Sequence, residues 1–140
     1  MSGRAMVSAL LLAGVVGAAA CSSSVPSPRC VVTDALVLRG ISQGLTVTGG
    51  GWLRFGQAVR SDDFHRAYFV AADIQGPGLN GPDEIGVWVT NRIDGSAGFA
   101  SVDGYALEFS DWGDGGRTDA AFSMTNDGAQ EAKDCADALG

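Results

Sequence analysis

Three segments of the chain alternate between apolar and polar residues, which is the pattern of a β-strand with two different faces. They are residues 52–60 (WLRFGQAVR), residues 64–76 (FHRAYFVAADIQG) and residues 85–93 (IGVWVTNRI). Turn residues separate them, SDD after the first and a loop dense in Gly and Pro after the second. Since short connections favour pairing between consecutive strands, the pattern predicts an antiparallel meander sheet.

The alternation also predicts which strand residues share a face. On the first strand, the predicted inward residues are Leu53, Phe55 and Val59, and the outward residues are Arg54 and Arg60. On the second strand, one face carries Tyr68, Val70, Ala72 and Ile74, and the other carries Phe69, Ala71 and Asp73. On the third strand, the predicted inward residues are Val87, Val89 and Ile93. The DGS at 94–96 predicts a tight hairpin into the following AGFASV.

Helical spacing of apolar residues occurs in three places. Residues 33–44 predict an amphipathic helix with Thr33 as its N-cap, although their β-branched residues leave a strand open as the alternative. Residues 101–109 predict a short helix capped by Ser101. Its apolar side would carry Val102, Tyr105, Ala106 and Phe109.

The C-terminal segment, residues 126–139 (NDGAQEAKDCADAL), predicts the third helix. Asp127 and Gln130 have the spacing of a capping box. The predicted apolar stripe is Ala129, Ala132, Ala136 and Leu139. Before this helix, AAFSMT at 120–125 predicts a short edge strand or an extended segment. The order of elements favours the α+β class, with an antiparallel meander sheet of three to four strands and helices packed on one of its faces.

The N-terminus has the organisation of an export signal. Arg4 provides a positive charge, residues 6–16 are apolar, and three alanines precede Cys21. The apolar run is shorter than the roughly 20 residues that a transmembrane helix needs. Two interpretations of Cys21 are open: it follows an ordinary cleavage site, or it is the acylated cysteine of a lipobox. The usual lipobox has Leu three positions before the cysteine, where this chain has Ala18.

The number of cysteines favours lipidation. Of the three cysteines, an acylated Cys21 leaves Cys30 and Cys135 as an even pair, which suits an oxidising compartment. We therefore predict a signal peptide at 1–20, a lipidated tether at 21–29 and a single domain at 30–140, closed by a Cys30–Cys135 disulfide. A redox-active pair is the alternative, but the C-x-x-C spacing is missing. The lipid would hold the protein at the outer face of the cytoplasmic membrane.

The charge balance is acidic, with 9 Lys plus Arg against 16 Asp plus Glu. Removing residues 1–20 takes away Arg4, their one charged side chain, so the net charge of −7 becomes −8. This argues against nucleic acid and against an anionic lipid surface as direct ligands. Contact with the membrane is expected through the N-terminal lipid only.

Candidate chemistry is sparse along the chain. Asp111, Asp114 and Asp119 crowd a Gly-rich loop whose oxygen ligands suit Ca²⁺, although the spacing is not that of an EF-hand and a solvated acidic loop is the alternative. His65 is the only histidine, and a serine nucleophile would depend on it. Paired carboxylates for glycoside hydrolysis occur only in predicted turns; they are Asp62/Asp63, Asp83/Glu84 and Asp111/Asp114. We predict no catalytic residue and no cofactor.

Two groups of surface residues are candidates for recognition. The aromatic group would form a platform for a sugar or peptide, although strand tryptophans are more often core or half-buried; its members are Trp52, Trp88, Trp112, Tyr68 and Tyr105. The basic group would form a stripe on the outward strand faces; its members are Arg54, Arg60, Arg66 and Arg92. Each group is therefore a candidate surface for binding a ligand or a partner.

Four pieces of the chain, FVAADIQGPG, IGVWVTN, SVDGYALEFSDWGDG and DGAQEAKDC, resemble uncharacterised small lipoproteins and hypothetical proteins of high-GC Gram-positive bacteria and their phages. The resemblance covers most of residues 57–135 and implies one exported domain with a cysteine in its C-terminal helix. A link to phages would imply an envelope role such as superinfection exclusion. We expect a non-enzymatic binding module that meets an envelope protein or ligand. The alternative is an enzyme or a calcium-dependent module that uses the acidic loop 111–119.

Overall fold

The computed structural model describes residues 25–79 and 84–140. Its strands are β1 (Val31–Val32), β2 (Trp52–Arg60), β3 (Tyr68–Gln75), β4 (Ile85–Thr90) and β5 (Ala100–Ser101). Its helices are α1 (Ala35–Ser42), α2 (Gly104–Phe109) and α3 (Ala129–Asp137), with a 3₁₀ turn at Gly115–Arg117. Within these ranges no helix has the length and apolar composition that crossing a bilayer requires.

The strands pair in chain order, each antiparallel to the next, so the α+β class and the meander are confirmed. The described sheet has five strands where we predicted three or four. Of the two shortest strands, β5 lies within AGFASV, the segment predicted to follow the hairpin, whereas β1 was not predicted because two residues are too short for alternation to reveal it. The edge strand predicted at 120–125 is wrong, because this segment lies in turns and irregular backbone.

Helices cover both faces of the sheet, whereas we predicted cover on one. One face packs against α1 and α2, through Val37, Ile41 and Ala106. The other face packs against α3, through Ala129, Ala132 and Ala136. The reason lies in β3, which carries apolar residues on both faces and is buried from Phe69 to Ile74. A strand that is apolar on both sides needs a layer on each side.

A β-bulge in β2 changes the predicted faces of that strand. Arg54 pairs with Asp73 and Gln57 with Ala71, so β2 has one extra residue between these pairs. Phe55 takes up the extra residue with a φ of 56°, in the left-handed region that bulges use. Leu53 consequently packs on the α1 side and Val59 on the α3 side, which corrects the prediction that they share a face.

The helix caps also differ from the predictions. Asp34, not Thr33, caps α1 by accepting a hydrogen bond from the Leu36 amide, and Asp103, not Ser101, caps α2. Ser101 is buried in β5 instead. The capping box at the start of α3 does not form, because the carboxylate of Asp127 accepts hydrogen bonds from Arg29 and from the Asp62 amide.

The tight hairpin predicted after β4 is replaced by a longer loop. β4 ends at Thr90 and β5 begins at Ala100, with residues 91–99 between them. Gly95 turns with a φ of 78° and lies so close to α1 that an added Cβ would stand 2.9 Å from the Leu36 carbonyl oxygen. Ile93, predicted to face inward, is 41% exposed on this loop.

The start of the described chain is attached to α3 by a disulfide and by ion pairs. Cys30 is bonded to Cys135, as predicted, with their Cα atoms 6.5 Å apart. The guanidinium of Arg29 binds the carboxylates of Asp127 at 2.7 Å and Glu131 at 2.9 Å. The hydrogen bond from Arg29, and then that from the Asp62 amide, lowers the pKa of Asp127 to about 2.

Candidate functional site

The last residues of β2 and β4 lie on either side of the first residue of β3, because Arg60 pairs with Tyr68 and Tyr68 pairs with Thr90. The loops that leave these strand ends surround an open cavity of about 500 Å³. We call it the arginine pocket. Its lining residues are Arg60, His65, Arg66, Tyr68, Asn91, Arg92, Ile93 and Asp94.

Three of the four arginines of the predicted basic stripe meet in this pocket. Arg60, Arg66 and Arg92 are all exposed. None of their guanidinium groups forms an ion pair with a carboxylate of residues 25–79 or 84–140. Arg54 does not join them, because it lies at the other end of β2, where it binds the buried Asp73 at 2.7 Å. The pocket therefore holds three guanidinium forks that are free to bind an anion in two-pronged fashion.

Asp94 is the one acidic residue in the lining. Hydrogen bonds from the Ser96 hydroxyl and amide lower the pKa of Asp94, and the nearby charge of Arg92 adds to this effect. Its carboxylate is therefore ionised at neutral pH and offsets one of the three arginine charges. Tyr68 and Asn91 add neutral hydrogen-bonding groups to the lining.

The loop between β2 and β3 is attached to the start of α3. Its residues Asp62 and Asp63 exchange hydrogen bonds with Asp127: the Asp62 amide donates to one Asp127 carboxylate oxygen, and the Asp127 amide donates to Asp63, both at 2.8 Å. The guanidinium of Arg29 also donates to the carbonyl of Arg60 at 2.8 Å. The backbone that carries the basic residues is thus positioned before any ligand arrives.

A second, smaller cavity adjoins the arginine pocket and shares Arg66 and Asn91 with it. Its volume is about 260 Å³. The remaining lining is mostly apolar and consists of Val89, Thr90, Gly98, Phe99, Ala100 and Phe122. Its walls come from β4, β5 and the 91–99 loop, together with Phe122, which packs edge to face against Phe64 and Phe69.

The three aspartates of the acidic loop have different surroundings. Asp114 accepts a hydrogen bond from the Gly116 amide at 2.9 Å and pairs with Arg117 at 3.5 Å. Asp111 and Asp119 are exposed. Within the described ranges there is no group of three side chains that could hold a metal ion. Calcium binding by this loop stays a prediction.

The five residues of the predicted aromatic platform do not share a surface. Trp88 is fully buried, and its indole N–H donates to the Ser110 hydroxyl at 3.1 Å. Trp112 is half-buried and donates to the Ile41 carbonyl at 2.9 Å. Trp52 is 56% exposed on β2, far along the strand from Tyr68 in the arginine pocket. The platform is therefore not formed.

Sequence reasoning identified the basic stripe but not its neighbours. His65 was considered only as a lone histidine, and Asn91 was not singled out. The sequence alone does not indicate that Arg60, Arg66 and Arg92 lie together. They meet because the register of the sheet brings neighbouring ends of β2, β3 and β4 to one edge. Cys21, the predicted lipidation site, lies outside the described residues.

Comparison with known proteins found no family model, no curated protein and no solved structure that matches the chain.

Proposed function

We propose that this chain is an exported, lipid-anchored binding module at the cell envelope, that it catalyses no reaction, and that its ligand is an anion held in the arginine pocket. The observation that carries the proposal is the convergence of Arg60, Arg66 and Arg92 without ion-pair partners in the described residues. On a protein with 16 acidic residues, unpaired arginines in one concave site favour a ligand that supplies the opposite charge.

The chemistry of the three arginines favours binding over catalysis. A guanidinium group stays protonated in proteins, so it holds an anion without exchanging a proton with it. Three such groups suit the retention of a ligand better than general acid–base catalysis, which needs a group that gains and loses a proton.

The anchor is tested by detergent phase partitioning of the full chain. Wild-type protein should partition with the detergent and carry an acylated N-terminal residue at position 21, since acyl chains provide a membrane affinity that a domain of net charge −8 lacks. Cys21→Ser should block acylation and yield uncut precursor or soluble protein. An N-terminus at Cys21 without added lipid mass would disprove the lipid anchor.

The binding site is tested by calorimetric titration of the full chain, in a non-ionic detergent, with inorganic phosphate. Binding should weaken as ionic strength rises, because salt screens exposed charges. Arg66→Gln should weaken it about tenfold, which is the loss expected for one charge-assisted hydrogen-bonding group. The matched control is Arg117→Gln, which removes an equal charge from a residue that is 88% exposed outside the pocket. Equal effects of the two variants, or no binding at all, would contradict the anion site.

A further inference from the structure

The small apolar cavity is continuous in its lining with the arginine pocket. Arg66 and Asn91 line both. Arg66 and Asn91 therefore lie at the boundary between a basic cavity of about 500 Å³ and an apolar cavity of about 260 Å³. A ligand that fills both must have a charged end and an apolar end.

We infer that the two cavities form one bipartite site for a phosphate monoester whose other end is a ring-sized apolar group. This inference rests on the proposed function and names the ligand class of the same site. The phosphoryl group lies among Arg60, Arg66 and Arg92, and the ring lies between Phe99 and Phe122.

Charge decides between phosphate and carboxylate. Three arginines and one ionised aspartate give the arginine pocket a net charge of about +2. A phosphate monoester carries about −1.5 to −2 at neutral pH and has three acceptor oxygens for guanidinium forks. A carboxylate brings one negative charge and two oxygens, so it would leave part of the basic lining without a partner.

The size of the apolar cavity decides what the phosphate is attached to. A space of about 260 Å³ bounded by two phenyl rings accepts a single ring, which can meet them in the edge-to-face geometry that aromatic groups prefer. The two acyl chains of a phospholipid would not fit there.

Gly98 provides a way to close the apolar cavity without touching an arginine. It lines that cavity, it is exposed, and an added Cβ would meet no atom within 4 Å. Gly98→Leu should therefore fill the cavity at little structural cost. The matched control is Gly113→Leu, since Gly113 is also exposed, also has open space at its Cβ position, and lies outside both cavities.

The test is calorimetric titration of the full chain in a non-ionic detergent with phenyl phosphate, inorganic phosphate and acetate. Burying about 60 Å² of ring surface corresponds to about a tenfold gain, so phenyl phosphate should bind about tenfold tighter than inorganic phosphate. Acetate should bind weakest. Gly98→Leu should abolish the advantage of phenyl phosphate and leave the affinity for inorganic phosphate unchanged. Gly113→Leu should change neither the advantage of phenyl phosphate nor the affinity for inorganic phosphate. Arg66→Gln should weaken the binding of both phosphates.

The outcomes separate this inference from the proposed function. Equal affinity of wild-type protein for the two phosphates would overturn the bipartite site and leave the anion site intact. Failure of both phosphates to bind would overturn the anion site as well. A further arm uses the Cys21→Ser chain with vesicles of phosphatidic acid in phosphatidylcholine. If the protein binds these vesicles and Arg66→Gln abolishes that binding, the phosphate belongs to a lipid headgroup. This result would overturn the inference that the ligand is a soluble phosphate ester.

Discussion

Removing the Cys30–Cys135 disulfide is expected to destabilise the domain strongly. The bond joins residues 105 positions apart, so it closes almost the whole domain into one loop. A crosslink over a loop of about 100 residues lowers the entropy of the unfolded chain by the equivalent of about 4.7 kcal/mol, and measured effects are typically 2–4 kcal/mol. We expect a loss of about 3 kcal/mol in the free energy of unfolding. The midpoint of thermal unfolding should fall by about 10 °C or more.

The assay is urea unfolding followed by tryptophan fluorescence, since Trp88 is fully buried and reports on the core. Cys30→Ala, Cys135→Ala and the double variant should lose the same free energy, because each removes the same bond. A reductant should lower the stability of wild-type protein to the level of the variants and leave the variants unchanged. If the losses of the single variants add up in the double variant, the two cysteines are not bonded and the reasoning fails.

Two further changes test the packing and the ion-pair network. Gly86→Ala should destabilise the protein by about 1–3 kcal/mol in urea unfolding, because the new Cβ would stand 2.5 Å from the Trp88 ring. The control Gly98→Ala should cost less than about 0.5 kcal/mol, since its Cβ would meet no atom within 4 Å. Equal losses of stability in the two variants would contradict the close packing at Gly86. Asp127, whose pKa is lowered to about 2, stabilises the fold above its unfolded pKa of about 3.9, and this contribution is lost as the pH falls through about 2. Asp127→Asn should therefore lower the thermal midpoint at pH 6 and flatten its fall between pH 4 and 2; an unchanged pH profile would remove Asp127 from the acid response.

The fold could be predicted from the sequence wherever a strand or helix keeps a single hydrophobic pattern along its whole length. β3 and β4 alternate or run apolar over their whole length, and α3 places its buried alanines three and four apart. The cover on both faces was also present in the sequence, since FVAA at 69–72 is an unbroken apolar run. Such a run is typical of a strand that is buried on both sides, and the alternating reading missed it.

The bulge in β2 could not be predicted from alternation alone. It depends on Phe55 adopting a positive φ, which is uncommon for an aromatic residue, and the one local signal is the glycine that follows it inside a strand. Packing against α1 explains the glycine itself, since an added Cβ on Gly56 would stand 2.7 Å from a methyl group of Leu38. Contacts of this kind between β2 and α1 exist only in the folded chain.

Only part of the candidate site could be predicted from the sequence. The arginines were visible as a group of basic residues on an acidic chain, but which of them meet depends on where the strands end. Arg54 belonged to the same predicted stripe, yet it pairs with Asp73 at the opposite end of the sheet. The small apolar cavity had no signal, because Phe122 reaches it from a segment that we predicted to be an edge strand.

The position of α3 at the C-terminal end of the described chain sets the order in which the domain can complete its fold as the chain is synthesised. β2, β3 and β4 all precede α3 in the chain, and α3 covers the face that bears Phe69, Val87 and Val89. Until residues 129–136 have been synthesised and have emerged, that face has no cover and Cys30 has no partner. The emerging chain therefore presents an open apolar sheet to chaperones and to other copies of itself. Folding and oxidation complete together when the last helix arrives.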